Sequence, residues 1–242
     1  MERRKVVLIT GSATALAREI AFALAKDYRI IIHYNSNQKK ALEIQSELGL
    51  DNCKIIQADF TKVDVNDFFS SALNLFNQID IIINAASIFN KIKTEDITKE
   101  ILEKYNDIHS VFPLLLSIEF YKYLKLNNKL GCVVNISDAQ LDRPTDSRIP
   151  YYLAKNALSF QTKLLSNSLA PIVRVNEIAP GFTLAKEYEE KYFKKIEDVL
   201  PYGITKSKEI IDAINYFINS EQVSGQCLKV DSGLSILPTK LI

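Results

Sequence analysis

Three residues, Asp138, Tyr151 and Lys155, have the types and spacing of a proton-transfer site. Residues four apart lie on one face of a helix, so the Lys155 ammonium can approach the phenol of Tyr151. A nearby cation favours phenolate over phenol and lowers the pKa of tyrosine, which is about 10 in water. We therefore expect Tyr151 to be usable as a proton donor near neutral pH.

Asp138 bears on the substrate class. A carboxylate repels a developing oxyanion, whereas it accepts hydrogen bonds from the N–H groups of a nitrogen heterocycle. We expect Asp138 to accept a hydrogen bond from Tyr151 or from polar edges of the substrate. The Tyr-x-x-x-Lys pair alone also fits a solvated helix pair. With Asp138 beside it, the pair favours a site for a nitrogen heterocycle that presents N–H donors.

The elements that position these residues follow from the apolar pattern. Short apolar runs alternate with longer segments of helical period, which is typical of a parallel sheet covered by helices on both faces. We predict an α/β fold, a Rossmann-type doubly wound parallel sheet, in a single domain over residues 1–242. The seven strands are predicted at 6–10, 29–34, 53–58, 79–84, 130–137, 172–178 and 226–230. A charged segment at about 182–208 is predicted to be a small helical substrate lid.

The first predicted strand ends in Thr10-Gly11 and leads into a helix. Such a turn aims backbone N–H groups and a positive dipole end at an anion, usually a pyrophosphate. Ala15 and Ala17 stand where dinucleotide fingerprints expect glycine. The loop alone fits an ordinary strand-to-helix turn as well as a cofactor site.

Other residues at strand carboxyl ends favour the cofactor site. Asp59 is placed to accept a hydrogen bond from an adenine amino group, small residues after Asn84 leave room for a ribose, and Pro180-Gly181 leaves room for a nicotinamide. The second strand ends in Tyr34-Asn35-Ser36, without an acidic residue to bind a ribose 2′-hydroxyl. This neutral loop, with Lys39 and Lys40 behind it, favours NADPH over NADH.

Composition narrows the class of protein. The 242 residues are 47% hydrophobic with a net charge of +1, which suits one well-cored domain and argues against nucleic-acid binding. The apolar run at 6–9 is too short for a signal peptide or a membrane span, so we predict a soluble, cytoplasmic protein. Cys53, Cys132 and Cys227 are odd in number and lie beside apolar runs, which predicts buried thiols.

The chain resembles the short-chain dehydrogenase/reductases over essentially its whole length. The motifs that carry this resemblance are Thr10-Gly11, Asp59, Asn84-Ala85-Ala86, Tyr151-x-x-x-Lys155, Pro180-Gly181 and Val230-Asp231-Ser232-Gly233. Within that superfamily the chain looks like a pteridine reductase. The narrower match rests on His33-Tyr34, Ser87 with Phe89, Ile108-His109 to Pro113, and Ser137-Asp138-Ala139.

The resemblance implies reduction of a dihydropteridine or dihydrofolate, with hydride from NADPH and a proton from Tyr151. Lys155 would anchor the nicotinamide ribose. Substrate binding is implied for Ser87, Phe89, Asp138, Tyr151 and Gly181, the ring stacking between Phe89 and nicotinamide. Cofactor binding is expected of Thr10, Gly11, Ser12, Leu16, Tyr34, Asn35, Ser36, Asp59, Phe60, Asn84, Ala85, Ala86, Tyr151, Lys155, Pro180, Gly181 and Thr183. The resemblance also implies a homo-oligomer, most often a tetramer.

Several alternatives stay open at this point. The same motifs fit a general carbonyl or enoyl-type reductase, and the glycine-poor loop fits a cofactor-binding protein without turnover. His109 falls where many relatives keep an asparagine that supports a proton-relay water, and it also fits a satisfied helix histidine. Arg18 fits either a phosphate contact or an exposed side chain. Tyr152 is predicted to pack, and Asp142 with Arg143 to form a surface contact.

Overall fold

The seven predicted apolar runs all form strands of one parallel sheet. In this computed structural model, residues 4–13, 15–183 and 190–237 are described. The strand order is β3-β2-β1-β4-β5-β6-β7, and every neighbouring pair is parallel. The strands are β1 (Val6–Ile9), β2 (Arg29–Tyr34), β3 (Cys53–Gln57), β4 (Ile81–Asn84), β5 (Gly131–Ile136), β6 (Val173–Pro180) and β7 (Cys227–Val230). The predicted strand boundaries are correct to within two residues.

Helices cover both faces of this sheet, as predicted. They are α1 (Ala15–Leu24), α2 (Gln38–Leu48), α3 (Val65–Phe76), α4 (Lys99–Asn106), α5 (Phe112–Leu126), α6 (Ile149–Ser168), α7 (Glu190–Glu197) and α8 (Ser207–Asn219). A five-residue π-helical turn, Asp107–Val111, joins α4 to α5. The fold is the Rossmann-type, doubly wound α/β architecture.

Alternating strand side chains build two apolar cores. Val7 and Ile9 of β1 pack on one side with residues of α1, α2 and α8, whereas Val6 and Leu8 pack on the other with α3 and α5. All four side chains have no exposed surface. Burial on both faces explains why the strands read as continuous apolar runs rather than alternating ones.

The strand order reverses between β1 and β4, and in such sheets the ligand crevice lies at this point. The hydroxyl of Thr10, which follows β1, accepts hydrogen bonds from the backbone N–H groups of Ala85 and Ala86, which follow β4, at 2.9 and 3.0 Å. The two loops are therefore fixed to each other at the edge of the crevice.

Described residues that follow β6 pack at the carboxyl edge of the sheet. Ile196 and Leu200 of this segment pack with Ala139 and Ala179. Part of the predicted lid at about 182–208, namely residues 184–189, lies outside the described residues.

The cysteine prediction is wrong at one position. Cys53 and Cys132 are buried, but Cys227 is exposed. Cys227 lies on β7, which ends the strand order and, among the described residues, pairs with β6 alone. An edge strand has a neighbour on one side only, so its apolar composition does not guarantee burial.

Among the residues that the structure describes, no helix is both long and apolar enough to cross a membrane. In the same ranges, no group of three or more His, Cys, Asp or Glu side chains is arranged to hold a metal ion.

Candidate active site

The trio of Asp138, Tyr151 and Lys155 comes together at the carboxyl end of β5. Asp138 lies two residues beyond the last residue of β5, and Tyr151 and Lys155 lie in the first two turns of α6. The Tyr151 hydroxyl donates a hydrogen bond to Asp138 Oδ2 at 2.8 Å. Asp138 Oδ1 accepts a second one from the backbone N–H of Gln140 at 2.7 Å. The carboxylate is thereby fixed against the phenol.

The Lys155 ammonium lies near the Tyr151 phenol but does not contact its hydroxyl group. Lys155 is 3% exposed, and its Nζ donates to the carbonyl oxygen of Ile136 at 2.5 Å. Nζ lies 6.0 Å from the centroid of the Tyr151 ring. The Glu177 carboxylate, also buried, accepts hydrogen bonds from the hydroxyls of Ser137 and Ser159. Lys155 is thus buried in a region that holds two carboxylates.

These contacts reverse the expected shift of the Tyr151 pKa. Burial and then the Asp138 carboxylate raise the pKa of Tyr151 well above its ordinary value. The prediction that Lys155 lowers this pKa is therefore wrong, since the carboxylate rather than the ammonium contacts the phenol. Tyr151 stays protonated at neutral pH.

The other two members of the trio are also shifted. Burial lowers the pKa of Lys155 to about 8, although Asp138 and Glu177 favour its charged form. Burial raises the pKa of Asp138, and the hydrogen bonds from Gln140 and Tyr151 oppose this effect. A cluster of shifted groups beside a cavity is typical of a catalytic site.

An aromatic wall stands beside the trio. Phe89 makes an edge contact with the Tyr151 ring, the centroids 4.7 Å apart. The guanidinium of Arg148 covers one face of Phe89, with Cζ 4.0 Å from the ring centroid. A second planar group that stacks on Phe89 must therefore use the other face or displace Arg148.

His109 lies under this wall, in the π-helical turn. It is 1% exposed, and its ring meets the Tyr151 ring edge-on with centroids 5.3 Å apart. Its Nε2 is paired with the backbone of Ile88, whereas Nδ1 is buried without a hydrogen-bond partner. Burial and Lys155 lower the pKa of His109 well below its ordinary value. The satisfied Nε2 and the unpaired Nδ1 leave both of its predicted roles open.

The turn after β1 is held by a buried histidine. Gly11 has a φ of +68°, and its backbone N–H donates to His33 Nδ1 at 3.0 Å. His33 Nε2 in turn donates to the carbonyl oxygen of Ala58 at 3.1 Å. A side chain at position 11 would place its Cβ 2.6 Å from the Cα of Ala86. Only glycine fits this turn, because of both its conformation and its neighbour.

The backbone N–H groups of residues 10–12 all donate hydrogen bonds within the protein. The backbone N–H groups of Thr10 and Ser12 donate to Ile83 and His33 carbonyl oxygens, both at 3.0 Å. Thr10 and Ser12 are buried and do not line the cavity. Thr10 and Ser12 therefore stabilise the loop from behind the cavity. The prediction that this turn points its N–H groups at a pyrophosphate is wrong for residues 10–12.

One cavity of about 860 Å³ runs along the carboxyl edge of the sheet. Its volume lies within the range of small-molecule and cofactor sites, roughly 300–1,000 Å³. Of the predicted site residues, it is lined by Gly11, Leu16, Tyr34, Asn35, Ser36, Asp59, Phe60, Ala85, Ala86, Ser87, Phe89, Asp138, Tyr151, Lys155, Pro180, Gly181 and Thr183. Asn84 is buried behind it and donates to Asn135 Oδ1 at 2.8 Å.

One end of the cavity suits a phosphorylated nucleoside. The loop after β2 contributes the neutral residues Tyr34 to Asn37. Asp59 Oδ1 accepts hydrogen bonds from the backbone and hydroxyl of Thr61 at 3.0 and 2.7 Å. Asp59 Oδ2 lies 3.5 Å from the exposed Lys62 ammonium.

Several nearby residues have simpler roles. The Tyr152 hydroxyl donates to Gln140 Oε1 at 3.1 Å, and the side chain is buried as predicted. Arg18 pairs with Glu47 at 3.4 Å rather than facing the cavity. Asp142 pairs with Lys229.

The sequence interpretation missed Arg148, which lines the cavity beside Phe89. The residue precedes α6 and lies three positions before Tyr151. Its backbone angles are not helical, with φ −142° and ψ 37°, so no helical spacing in the sequence marks Arg148 as a partner of Tyr151 or Phe89.

The chain matches the family model described as short chain dehydrogenase over residues 5–195. Among curated proteins, it is 28% identical to the "Uncharacterized oxidoreductase YmfI" of Bacillus subtilis (strain 168), over 95% of this chain and 98% of that protein. It is 29% identical to the dihydromonapterin reductase of Enterobacter sp. (strain 638), over 95% of this chain and 96% of the relative.

A solved structure has the same architecture. FolM Alternative dihydrofolate reductase 1 from Brucella canis, complexed with NADP, superposes with a TM-score of 0.88 and 26% identity. The match covers 97% of this chain and 95% of that chain.

Proposed function

The chain belongs to the short chain dehydrogenase family and is an NADPH-dependent oxidoreductase, and we propose that it reduces dihydropteridines or dihydrofolate. The observation that carries the proposal is the Asp138 carboxylate, which accepts a hydrogen bond from the Tyr151 hydroxyl at the cavity that Phe89 lines. The similar dihydromonapterin reductase and FolM proteins support the substrate class.

The residues present fit NADP(H). The loop from Tyr34 to Asn37 offers hydrogen-bonding groups and no carboxylate at the cavity, which suits a 2′-phosphate. Asp59 would bind the adenine, and Lys155 with Tyr151 would bind the nicotinamide ribose. When bound, NADPH supplies a hydride. Side chains of this protein would supply the proton and hold the substrate.

Reduction of a C=N bond also requires a proton at nitrogen, and Tyr151 supplies it in our proposal. Its raised pKa keeps the phenol protonated at neutral pH, so a proton is available. The hydroxyl must turn from Asp138 Oδ2 towards the substrate nitrogen. The released Asp138 oxygen then accepts a hydrogen bond from an N–H group of the ring. As an ammonium, Lys155 stabilises the phenolate that remains.

The segment after β6 is proposed to cover the substrate. We propose one domain over residues 1–242, with the lid at about 182–208. Its described part supports this role, since Ile196 and Leu200 pack on Ala139, the residue next to Asp138. Water exclusion by such a segment strengthens the polar contacts inside the site.

We further propose a cytoplasmic homotetramer. Leu153, Phe160 and Leu164 of α6 expose 59%, 62% and 52% of their surface. Their spacing of seven and four residues places them on one side of the helix. An exposed apolar stripe of this kind supports self-association, and light scattering of the purified protein measures the mass.

The function is tested by the loss of NADPH absorbance with dihydrobiopterin, dihydrofolate and a simple diketone as substrates. We expect turnover of at least one of the two pterin compounds. Turnover of the diketone alone would assign the protein to the general carbonyl reductases. Tight NADPH binding without any turnover would identify a cofactor-binding protein that has lost catalysis.

A further inference from the structure

We propose that Arg148 binds the substrate by donating hydrogen bonds to one of its acceptor oxygens. This inference rests on the proposed pterin or folate substrate. Arg148 would add a cationic contact to the substrate site. The residues expected there from the sequence are Ser87, Phe89, Asp138, Tyr151 and Gly181.

The position of Arg148 is favourable for such a contact. It stands immediately before α6, and its guanidinium lies 4.0 Å from the centroid of the Phe89 ring. Arg148, Phe89 and Asp138 all line the same cavity. The planar guanidinium on the ring face is a preorganised donor group, since stacking limits its rotation.

One donor of Arg148 is left unpaired by the residues that the structure describes. Its Nε is buried and has no acceptor. Among the described residues, no carboxylate lies within 4.0 Å of the guanidinium. The positive charge of Arg148 nevertheless favours the ionised form of Asp138 by lowering the pKa of that carboxyl. A buried donor without an acceptor is unfavourable, so a ligand that supplies an oxygen gains affinity.

Arg148 and Asp138 together match an amphoteric substrate edge. Asp138 accepts hydrogen bonds and carries a negative charge, whereas Arg148 only donates and carries a positive charge. An aminopyrimidinone ring presents N–H donors and a carbonyl oxygen, and a folate also carries carboxylates on its tail. The shared chemistry is an acceptor oxygen, supplied either by the ring carbonyl or by the tail.

The experiment compares wild type, Arg148→Met and Arg148→Lys with dihydrobiopterin, whose side chain is neutral, and with dihydrofolate. Lys208→Met is the matched control, because Lys208 is exposed on α8 and pairs with Asp212. Steady-state KM and kcat and the NADPH Kd are measured for each protein. The methionine variant is expected to raise KM about tenfold or more, the effect of one charged hydrogen bond, with kcat and the NADPH Kd unchanged.

A rise in KM for both substrates assigns the oxygen to the ring, and a rise for dihydrofolate alone assigns it to the tail. Arg148→Lys keeps the charge without the planar fork, so its KM is expected to lie between those of wild type and Arg148→Met. An unchanged NADPH Kd also verifies folding. KM values within twofold of wild type for both substrates in both variants would overturn the Arg148 proposal alone. Failure of the wild type to reduce either pterin would overturn the proposed function, and this proposal with it.

Discussion

The Tyr151 hydroxyl donates a hydrogen bond to Asp138 Oδ2 over a distance of 2.8 Å. Tyr151 is 5% exposed, and the carboxylate beside it opposes ionisation of the phenol. The Tyr151 hydroxyl therefore stays protonated at neutral pH. In the proposed mechanism, substrate binding exchanges the hydrogen-bond partners of Asp138 and Tyr151 before that proton is transferred.

This arrangement predicts which group limits activity at alkaline pH. The pKa of Tyr151 is raised well above its ordinary value, whereas burial lowers that of Lys155 to about 8. Above that pH the ammonium becomes neutral and no longer stabilises the phenolate. We expect kcat/KM for NADPH, which reports on the free enzyme, to fall as pH rises through about 8.

Asp138→Asn tests this assignment of the alkaline limb. The Asp138 carboxylate raises the pKa of Lys155, so its removal lowers that pKa. The descending limb is expected to move to lower pH in the variant. A limb that stays in place, or moves to higher pH, would show that Lys155 does not cause it.

Asp138→Ser separates substrate classes. Serine keeps a hydrogen-bonding group beside Tyr151 but removes the charge that favours N–H donors. We expect kcat/KM for dihydrobiopterin to fall about 10- to 100-fold, the effect of one hydrogen bond to a charged group. A diketone, whose developing oxyanion the carboxylate repels, should lose much less. Equal losses with both substrates would remove the special role of the carboxylate.

Because His33 is buried, we expect the free energy of unfolding to fall in acid. Burial lowers its pKa from 6.5 to about 4 in the folded protein. The unfolded chain therefore binds a proton between these pH values and the folded protein does not, so stability falls as pH drops from about 6.5 to about 4. The shift corresponds to a loss of about 3 kcal/mol across that window. Urea unfolding at a series of pH values measures it.

His33→Gln is the comparison for this prediction. Glutamine retains an oxygen that can accept from the Gly11 N–H, but it does not titrate. The variant should show a flatter dependence of unfolding free energy on pH. Some slope should remain, because burial and Lys155 lower the pKa of His109 in the same direction. A slope identical to that of wild type would exclude His33 as its source.

Much of the fold was predictable because strands that are buried on both faces of a parallel sheet consist of continuous apolar runs, which can be recognised in the sequence. The meeting of Asp138 with Tyr151 was predictable too, since a strand end and the following helix position them. The pKa direction of Tyr151 was not, because it depends on which charge contacts the phenol. The contact of Arg148 with Phe89 joins residues 59 positions apart, and no local pattern encodes it.

The most direct test of the account is Tyr151→Phe, assayed beside wild type by single-turnover NADPH oxidation with dihydrobiopterin or dihydrofolate. The substitution removes the hydroxyl and leaves the ring that packs against Phe89 and His109. We predict a loss of about 10²- to 10⁴-fold in the rate of NADPH oxidation, as expected for removal of a general acid, with a nearly unchanged Kd for NADPH. Oxidation of NADPH by the variant at a rate close to that of wild type would contradict the assignment of Tyr151 as the proton donor.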